Sequence, residues 1–336
     1  MKIPDKGMLK SGLAALKTKI SGRGTPLCVH FSVTNRCASN CVYCYCEDDS
    51  SPDLDIQSVK KLIAEAASAG CRTFWFLGGE PLLRDDIIEI VRYAKGQGLV
   101  VCVASNGHLL HEKRGILDMV DHLCISLDGP EAMHDANRGA GSFSKAMRAL
   151  ETASGKTTLA TNTVITKNNL GGIDFVIARA RELGALANFV VVRNCPENIR
   201  PDEAEQRGVI ARLITAKKKG APVSQSFDCL NTLLAWPDYG KVAYRAGDLG
   251  YRGKCLAGRL YCYVHHNGDV YRCNELAGNT KPLNFLEAGF KAAFRHLGSS
   301  AVDCGICNSI CFLEMNRMYS LNRGAIFEHI KNHIFG

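Results

Sequence analysis

Three cysteines, Cys37, Cys41 and Cys44, stand in the segment TNRCASNCVYCYC with the spacing Cys-x3-Cys-x2-Cys. Thiolates set this densely on one short loop are soft ligands suited to iron–sulfur clusters or to zinc. Three of them on a [4Fe–4S] cluster leave one iron open. An open iron can chelate the amino and carboxylate groups of a small molecule, where a cluster closed by four cysteines only carries electrons. Zinc favours paired Cys-x2-Cys units that close a tetrahedron, so a zinc site, or a group of merely buried cysteines, is the competing reading. A second set lies toward the other end of the chain. Cys255 is followed after twelve residues by Gly268 and after four more by Cys273; Cys304 and Cys307 then form Cys-x2-Cys, with Cys311 beyond. Gly268 permits a tight hairpin turn that would bring Cys255 and Cys273 together, and Cys304 with Cys307 would complete a cluster or a structural zinc site.

The chain carries 16 cysteines in 336 residues. In a short secreted chain they would signal disulfides, but the opening MKIPDKGMLKSGLAALKTKI has no continuous apolar core and no cleavage site. The expectation is a cytoplasmic protein in a reducing, anaerobic setting, with cysteines serving metal. Cys28, Cys71, Cys102 and Cys124 fall inside apolar strand-like runs and act as small hydrophobes. No run reaches the roughly 18 apolar residues of a membrane span. The formal charge of +8 comes without aromatic-interleaved basic runs, which excludes a nucleic-acid partner and leaves a dispersed solvated surface.

The elements that must hold these cysteines alternate. LCVHFSVT (27–34), TFWFLGG (73–79), VVCVASNG (100–107), LCISLDG (123–129), TLATNTVIT (158–166) and ALANFVVVR (185–193) read as strands rich in Val, Ile, Leu and Phe, as buried parallel strands are. Helices are expected near 56–69, 84–96 and 203–218. Six βα units imply an α/β protein whose parallel sheet curls into a partial (β/α)6, TIM-like barrel with its functional loops at the strand C-termini. Leu9, Leu13, Leu16 and Ile20 fall at helical spacing with Lys10, Lys17 and Lys19 around them. That segment (8–20) is either a helix packed on the domain or a basic amphipathic helix resting on a membrane surface. The division is an N-terminal helix or arm (1–26), the barrel (27–219), a Pro- and Gly-containing bridge (220–254), a cysteine-rich domain (255–311) and a C-terminal helix (312–336).

Taken together, the cysteine spacing, its place after the first strand and the aromatic Tyr43 before the last cysteine resemble the radical S-adenosylmethionine (SAM) superfamily. In that family a reduced cluster cleaves SAM homolytically to a 5′-deoxyadenosyl radical, which abstracts a hydrogen atom. Gly78, Gly79, Glu80 and Pro81 follow about one βα unit later and are similar to the family's GGEP segment, although a Gly-Gly turn before a Pro-started helix is a structural alternative. The resemblance implies that these glycines let backbone approach the methionyl amino group. It also implies that Ser126 contacts the SAM ribose or carboxylate, that Arg138 pairs with the carboxylate as a planar bidentate donor, that Tyr43 packs near the adenine, and that Asn106 borders the pocket. A turn serine, a surface ion pair and a buried structural tyrosine are the alternatives for Ser126, Arg138 and Tyr43. His134 and Asp135 read as loop residues.

Further on, Cys-x12-Gly-x4-Cys resembles the opening of SPASM and the shorter twitch domains, which carry auxiliary [4Fe–4S] clusters. The later cysteines depart from the full SPASM pattern, which implies one auxiliary cluster on Cys255, Cys273, Cys304 and Cys307, with Cys262 and Cys311 as spare ligands. Relatives of this layout modify peptides or protein side chains, reduced by a flavodoxin or ferredoxin, and a peptide substrate is therefore the leading expectation. Dehydrogenation or rearrangement of a small molecule, lipid or tetrapyrrole tailoring at a membrane, and a non-catalytic two-cluster electron carrier are the alternatives. Asn274 stands where sulfatase-maturing relatives place an aspartate base, which argues against that role and leaves Glu275 as a possible base. The cluster motif begins at position 37, so no fused peptide-recognition domain is expected upstream.

Overall fold

The computed structural model describes residues 24–44, 51–192, 195–245, 247–248, 255–277, 280–298, 304–320, 322, 324 and 328; the segment 8–20 lies outside them. Six strands, β1 (Cys28–Ser32), β2 (Thr73–Leu77), β3 (Val100–Ser105), β4 (His122–Ser126), β5 (Thr158–Ile165) and β6 (Leu186–Val191), lie parallel in sequence order. Side-chain alternation sorts the two faces of this sheet. Val29, Phe31, Phe74, Phe76, Val103, Leu123 and Ile125 enter the main core under α1 (Ile56–Ser68), α2 (Ile87–Gly96), α3 (Glu131–Arg138), α4 (Ser142–Ala153) and α5 (Ile173–Glu182). Right-handed crossovers between parallel strands put all these helices on one side. The other, inner face keeps His30, Trp75, Cys124, Ser126, Asn162 and Asn188 half-buried. It is the concave side that the chemistry must use.

Local sequence sets the helix starts. The Asp55 side chain accepts from the Ser58 amide at the head of α1, and Asp202 and Glu205 form a reciprocal capping box on α6 (Glu203–Lys218). After α7 (Phe227–Leu234), β7 (Ala243–Tyr244) pairs antiparallel with β11 (Ile306–Cys307) in a small second sheet.

The C-terminal segment does not stand apart from the barrel sheet. β8 (Tyr261–Val264) pairs parallel with β1, and β9 (Asp269–Tyr271) and β10 (Leu283–Asn284) follow antiparallel. The nine-stranded order is β10-β9-β8-β1-β2-β3-β4-β5-β6. Gly268 makes the β8–β9 turn with φ +96°, and a Cβ there would stand 3.0–3.1 Å from Asn284 and Phe285. α8 (Phe285–Ala288) and α9 (Phe290–Leu297) carry the outer helical layer past β1, with Phe285, Phe290 and Phe294 in the main core. On the inner side, α10 (Ile310–Tyr319) lays Phe312 between Tyr261 (ring centroids 5.5 Å, planes 5° apart) and His30 (5.8 Å). Such aromatic contacts add about 0.5–1.5 kcal/mol each beyond buried area. Leu27, Cys28, Ala257, Leu260, Tyr261, Cys273 and Phe312 close a second, smaller core there.

Candidate iron–sulfur and cofactor site

The loop that leaves β1 carries Cys37, Cys41 and Cys44 to the C-terminal edge of the sheet, and the neighbouring elements grip its backbone. Gly79 N–H donates to Thr34 O (2.8 Å) and Glu80 N–H to Arg36 O (2.9 Å). A Cβ on Gly79 would fall 2.2 Å from Arg36 O, and one on Gly78, at φ +135°, 2.3 Å from Thr34 O. The two glycines are therefore needed for β2 to touch the cysteine loop, whatever else their backbone contacts. Asp53 holds the same loop from outside, accepting from Thr34 Oγ1 (2.6 Å), Asn35 N (3.2 Å) and Arg36 Nε (3.4 Å). His266, from the β8–β9 turn, places its Nδ1 3.2 Å from Asp53 Oδ1. Arg84 Nη1 donates to the carbonyls of Val33 and Leu54.

Glu80 is 1% exposed. Its carboxylate accepts from Leu82 N (3.0 Å), Ser105 Oγ (2.8 Å) and Asn106 N (2.7 Å), tying the end of β2 to the end of β3. Burial pushes this carboxyl above the usual range while the three donors pull it back. Pro81 opens the short 3-10 turn Pro81–Leu83. Asn106 Nδ2 reaches Ser39 Oγ (3.0 Å) and lies 3.9 Å from Cys37 Sγ, so this side chain does border the cysteine loop.

Arg138 and Tyr43 meet at a residue that the sequence reading took only as a strand end. Asp128 is fully buried. It accepts from Tyr43 Oη (2.6 Å), Arg138 Nε (2.8 Å), Arg138 Nη2 (3.4 Å) and Val164 N (3.0 Å). Arg138 also lies over the Tyr43 ring, 5.4 Å from its centroid, and its Nη1 points to within 4.0 Å of Cys41 Sγ. Burial works against the Arg138 charge, but Asp128 more than restores it and holds the guanidinium above its ordinary pKa. Two guanidinium nitrogens, Nε and Nη2, are thus committed to Asp128, and Nη1 faces Cys41. Signals were present in the sequence: an aspartate at the C-terminal tip of a strand, a glycine after it, and an arginine ten residues on. His134 and Asp135 belong to helix α3 rather than to a loop; His134 is on its buried face, and its Nδ1 accepts from Asp128 N at 3.1 Å.

The three thiols are close enough for their charges to be felt by one another. Burial pushes Cys41 up to about 11, with Arg138 pulling in the opposite direction. Burial also raises Cys37, opposed by hydrogen bonds from Ser39. Bound iron would remove those protons outright. Ser126 is half-buried on the inner face in register with Asn162.

In the second set, Cys255, Cys273 and Cys307 surround the Tyr261 hydroxyl, which each of them influences electrostatically. Burial, then Cys255, pushes the Cys273 thiol up to about 12. Cys304 is half-buried just before β11. Cys262 lies on the opposite face of β8, in the main core, while Cys311 is exposed and sits near Cys124 and Cys229. Among the described residues, no three His, Cys, Asp or Glu side chains converge on a point where one ion would sit. The thiol donors of both sets are chemically suited to iron–sulfur clusters.

A partial barrel with thiols at its C-terminal edge and on its inner side carries the donors of an iron–sulfur enzyme. The radical SAM superfamily model matches residues 31–171. Mycofactocin maturase MftC of Mycobacterium ulcerans is 30% identical over 311 residues, covering 85% of this chain and 81% of that protein. AdoMet-dependent heme synthase of Oleidesulfovibrio alaskensis is 28% identical, covering 81% and 76%. Among solved structures, Streptococcus suis SuiB bound to S-adenosylmethionine superposes with a TM-score of 0.66 at 16% identity over 85% of this chain and 71% of that one. The chain belongs to the radical SAM superfamily, in the subgroup with SPASM or twitch C-terminal regions. It is an enzyme that uses SAM and a [4Fe–4S] cluster. No described helix is long and apolar enough to cross a membrane.

Proposed function

We propose that this enzyme oxidatively modifies a peptide or protein side chain, with Cys37, Cys41 and Cys44 holding the SAM-cleaving cluster and Cys255, Cys273, Cys304 and Cys307 an auxiliary one. When bound, the cluster and SAM supply a 5′-deoxyadenosyl radical that takes a hydrogen atom from the substrate. The observation that carries the reading is the free edge of Arg138, fixed by Asp128 and aimed at Cys41. A permanent positive charge beside Cys41, with planar donors suited to a carboxylate, supports a role for Arg138 in holding the SAM carboxylate. Tyr43, pinned through its hydroxyl, packs its ring against Arg138, and Asn106 reaches Ser39 beside Cys37. A reducing flavodoxin or ferredoxin supplies the electron.

Support for a peptide comes from the mycofactocin maturases and from the structure of SuiB with its precursor peptide SuiA. The heme synthase relatives favour a second reading, tailoring of a tetrapyrrole. Anaerobically reconstituted protein with dithionite and SAM is expected to hold about eight irons and release 5′-deoxyadenosine, and each of Cys37→Ala, Cys41→Ala and Cys44→Ala is expected to abolish release. Peptides encoded beside the gene and iron-coproporphyrin are then compared as substrates by mass spectrometry. A mass loss on the porphyrin alone would replace the peptide reading, and nucleoside release that survives all three substitutions would sink the site.

A further inference from the structure

Asn316, on the inner face of α10, is 3% exposed and touches the second cysteine set. Its Oδ1 accepts from two donors, Leu256 N (2.8 Å) and Tyr261 Oη (3.1 Å). An N–H and a phenol directed at the same atom identify that atom as the amide oxygen, so the NH2 end must face the other way. There it lies 3.7 Å from Cys255 Sγ. Tyr261 is itself fully buried, with its hydroxyl also 3.7 Å from that sulfur. Tyr261 and Asn316 lie on β8 and α10, and their side-chain hydrogen bonds run to Leu256, Cys255 and one another rather than to the Asp128 and Glu80 networks.

A thiol at Cys255 can donate or accept, but a thiolate bound to iron can only accept. The Tyr261 hydroxyl has a single proton, and donating it to Asn316 Oδ1 leaves the amide as the donor to the sulfur. Hydrogen bonds to cluster sulfurs stabilise the more negative, reduced state and so raise the potential. Resting on the auxiliary-cluster reading of Cys255, we infer that Asn316, oriented by Tyr261 and the Leu256 amide, sets the reduction potential of the auxiliary cluster by donating to Cys255 Sγ. Asn316 is a positioning residue that acts through a ligand, and its effect is on how readily the auxiliary centre accepts the electron left on the substrate after hydrogen abstraction. One electron leaves the substrate radical for the oxidised cluster and one proton leaves for solvent, which balances a single turnover; the reduced cluster then returns its electron to the flavodoxin or ferredoxin pool before the next.

The test is an anaerobic redox titration of the reconstituted full-length protein, followed by electron paramagnetic resonance, with iron counted in parallel. Adding SAM perturbs the signal of the open-iron cluster and leaves the auxiliary signal in place, which tells the two apart. Asn316→Asp keeps the acceptor for Leu256 N and Tyr261 Oη and exchanges the donor for a carboxylate oxygen. At a fixed potential its ratio of reduced to oxidised auxiliary cluster is expected to fall about tenfold, a 59 mV shift for one electron, with the SAM-sensitive cluster unmoved. Tyr261→Phe frees the amide and is expected to shift the same centre in the same direction by less, and it serves as the measurement if the aspartate variant does not take up iron. Eight irons with an auxiliary potential unchanged in the iron-replete variant would overturn the inference alone. About four irons in the unsubstituted protein would instead overturn the auxiliary-cluster reading beneath it.

Discussion

Replacing Asp128 by asparagine probes the core of the cofactor pocket with almost no change of shape. The carboxylate accepts from four donors at once, two from Arg138 and one each from Tyr43 and Val164. A carboxylate can do this because it has no proton to misplace. An asparagine in either orientation turns its NH2 toward at least one donor of Arg138 or Val164, and it leaves a buried guanidinium without a counter-charge. Breaking one side of a buried pair costs about 3–5 kcal/mol. Unfolding entropy of about 2.1 cal/mol/K per residue amounts to about 0.7 kcal/mol/K over 336 residues, so the midpoint should fall by about 4–7 °C. Thermal unfolding of the metal-free chain by circular dichroism measures it, in a double-mutant cycle with Arg138→Met. The two substitutions should couple by at least about 2 kcal/mol, because the second removes the charge that the first strands. Asp128→Asn should also weaken SAM retention by the reconstituted enzyme. A midpoint within about 1 °C of the parent, or strictly additive effects, would refute the assignment of Asp128 as the anchor of Arg138.

Two other outcomes follow from the same geometry. Gly79→Ala puts a methyl 2.2 Å from Arg36 O; the chain should still fold, but with about half the iron of the parent and no 5′-deoxyadenosine, as measured by colorimetric iron assay and chromatography, and full iron would show that β2 can stand off from the loop. His134 is held neutral, with a pKa lowered by burial and by Arg138 to about 4. The sign is that of a depressed base: its contribution is intact above the unfolded value of about 6.5, declines as the unfolded chain takes up a proton, and stops declining below about 4. From pH 7 to pH 5 the loss is about 2 kcal/mol, and urea titrations at the two pH values should show His134→Gln with a correspondingly flatter dependence. A His134→Gln profile parallel to the parent's would exclude His134 as the source.

Much of this protein is local in origin and so was legible in the chain. Thiolate spacing on one loop is a matter of a few residues, and the strand β5 (158–165) or the helix α6 (203–218) declares itself by period and cap. Both belong to single segments whose burial pattern is written along them. The tertiary structure decided what depends on segments far apart in sequence. Asp128 is one residue of a strand tip until Tyr43, 85 positions earlier, and Val164 close around it. Gly78 and Gly79 read as a GGEP-like cofactor segment or a turn, and only the approach of Thr34 and Arg36 shows that they are the contact surface for the cysteine loop. Likewise the parallel pairing of β8 with β1 has no signature in the composition of YCYV, because strand partners are chosen by which edge the chain can reach and cover. That pairing puts Tyr261 on the inner face and Cys262 on the outer one, and so separates a neighbour of the auxiliary cysteines from a core residue one position away.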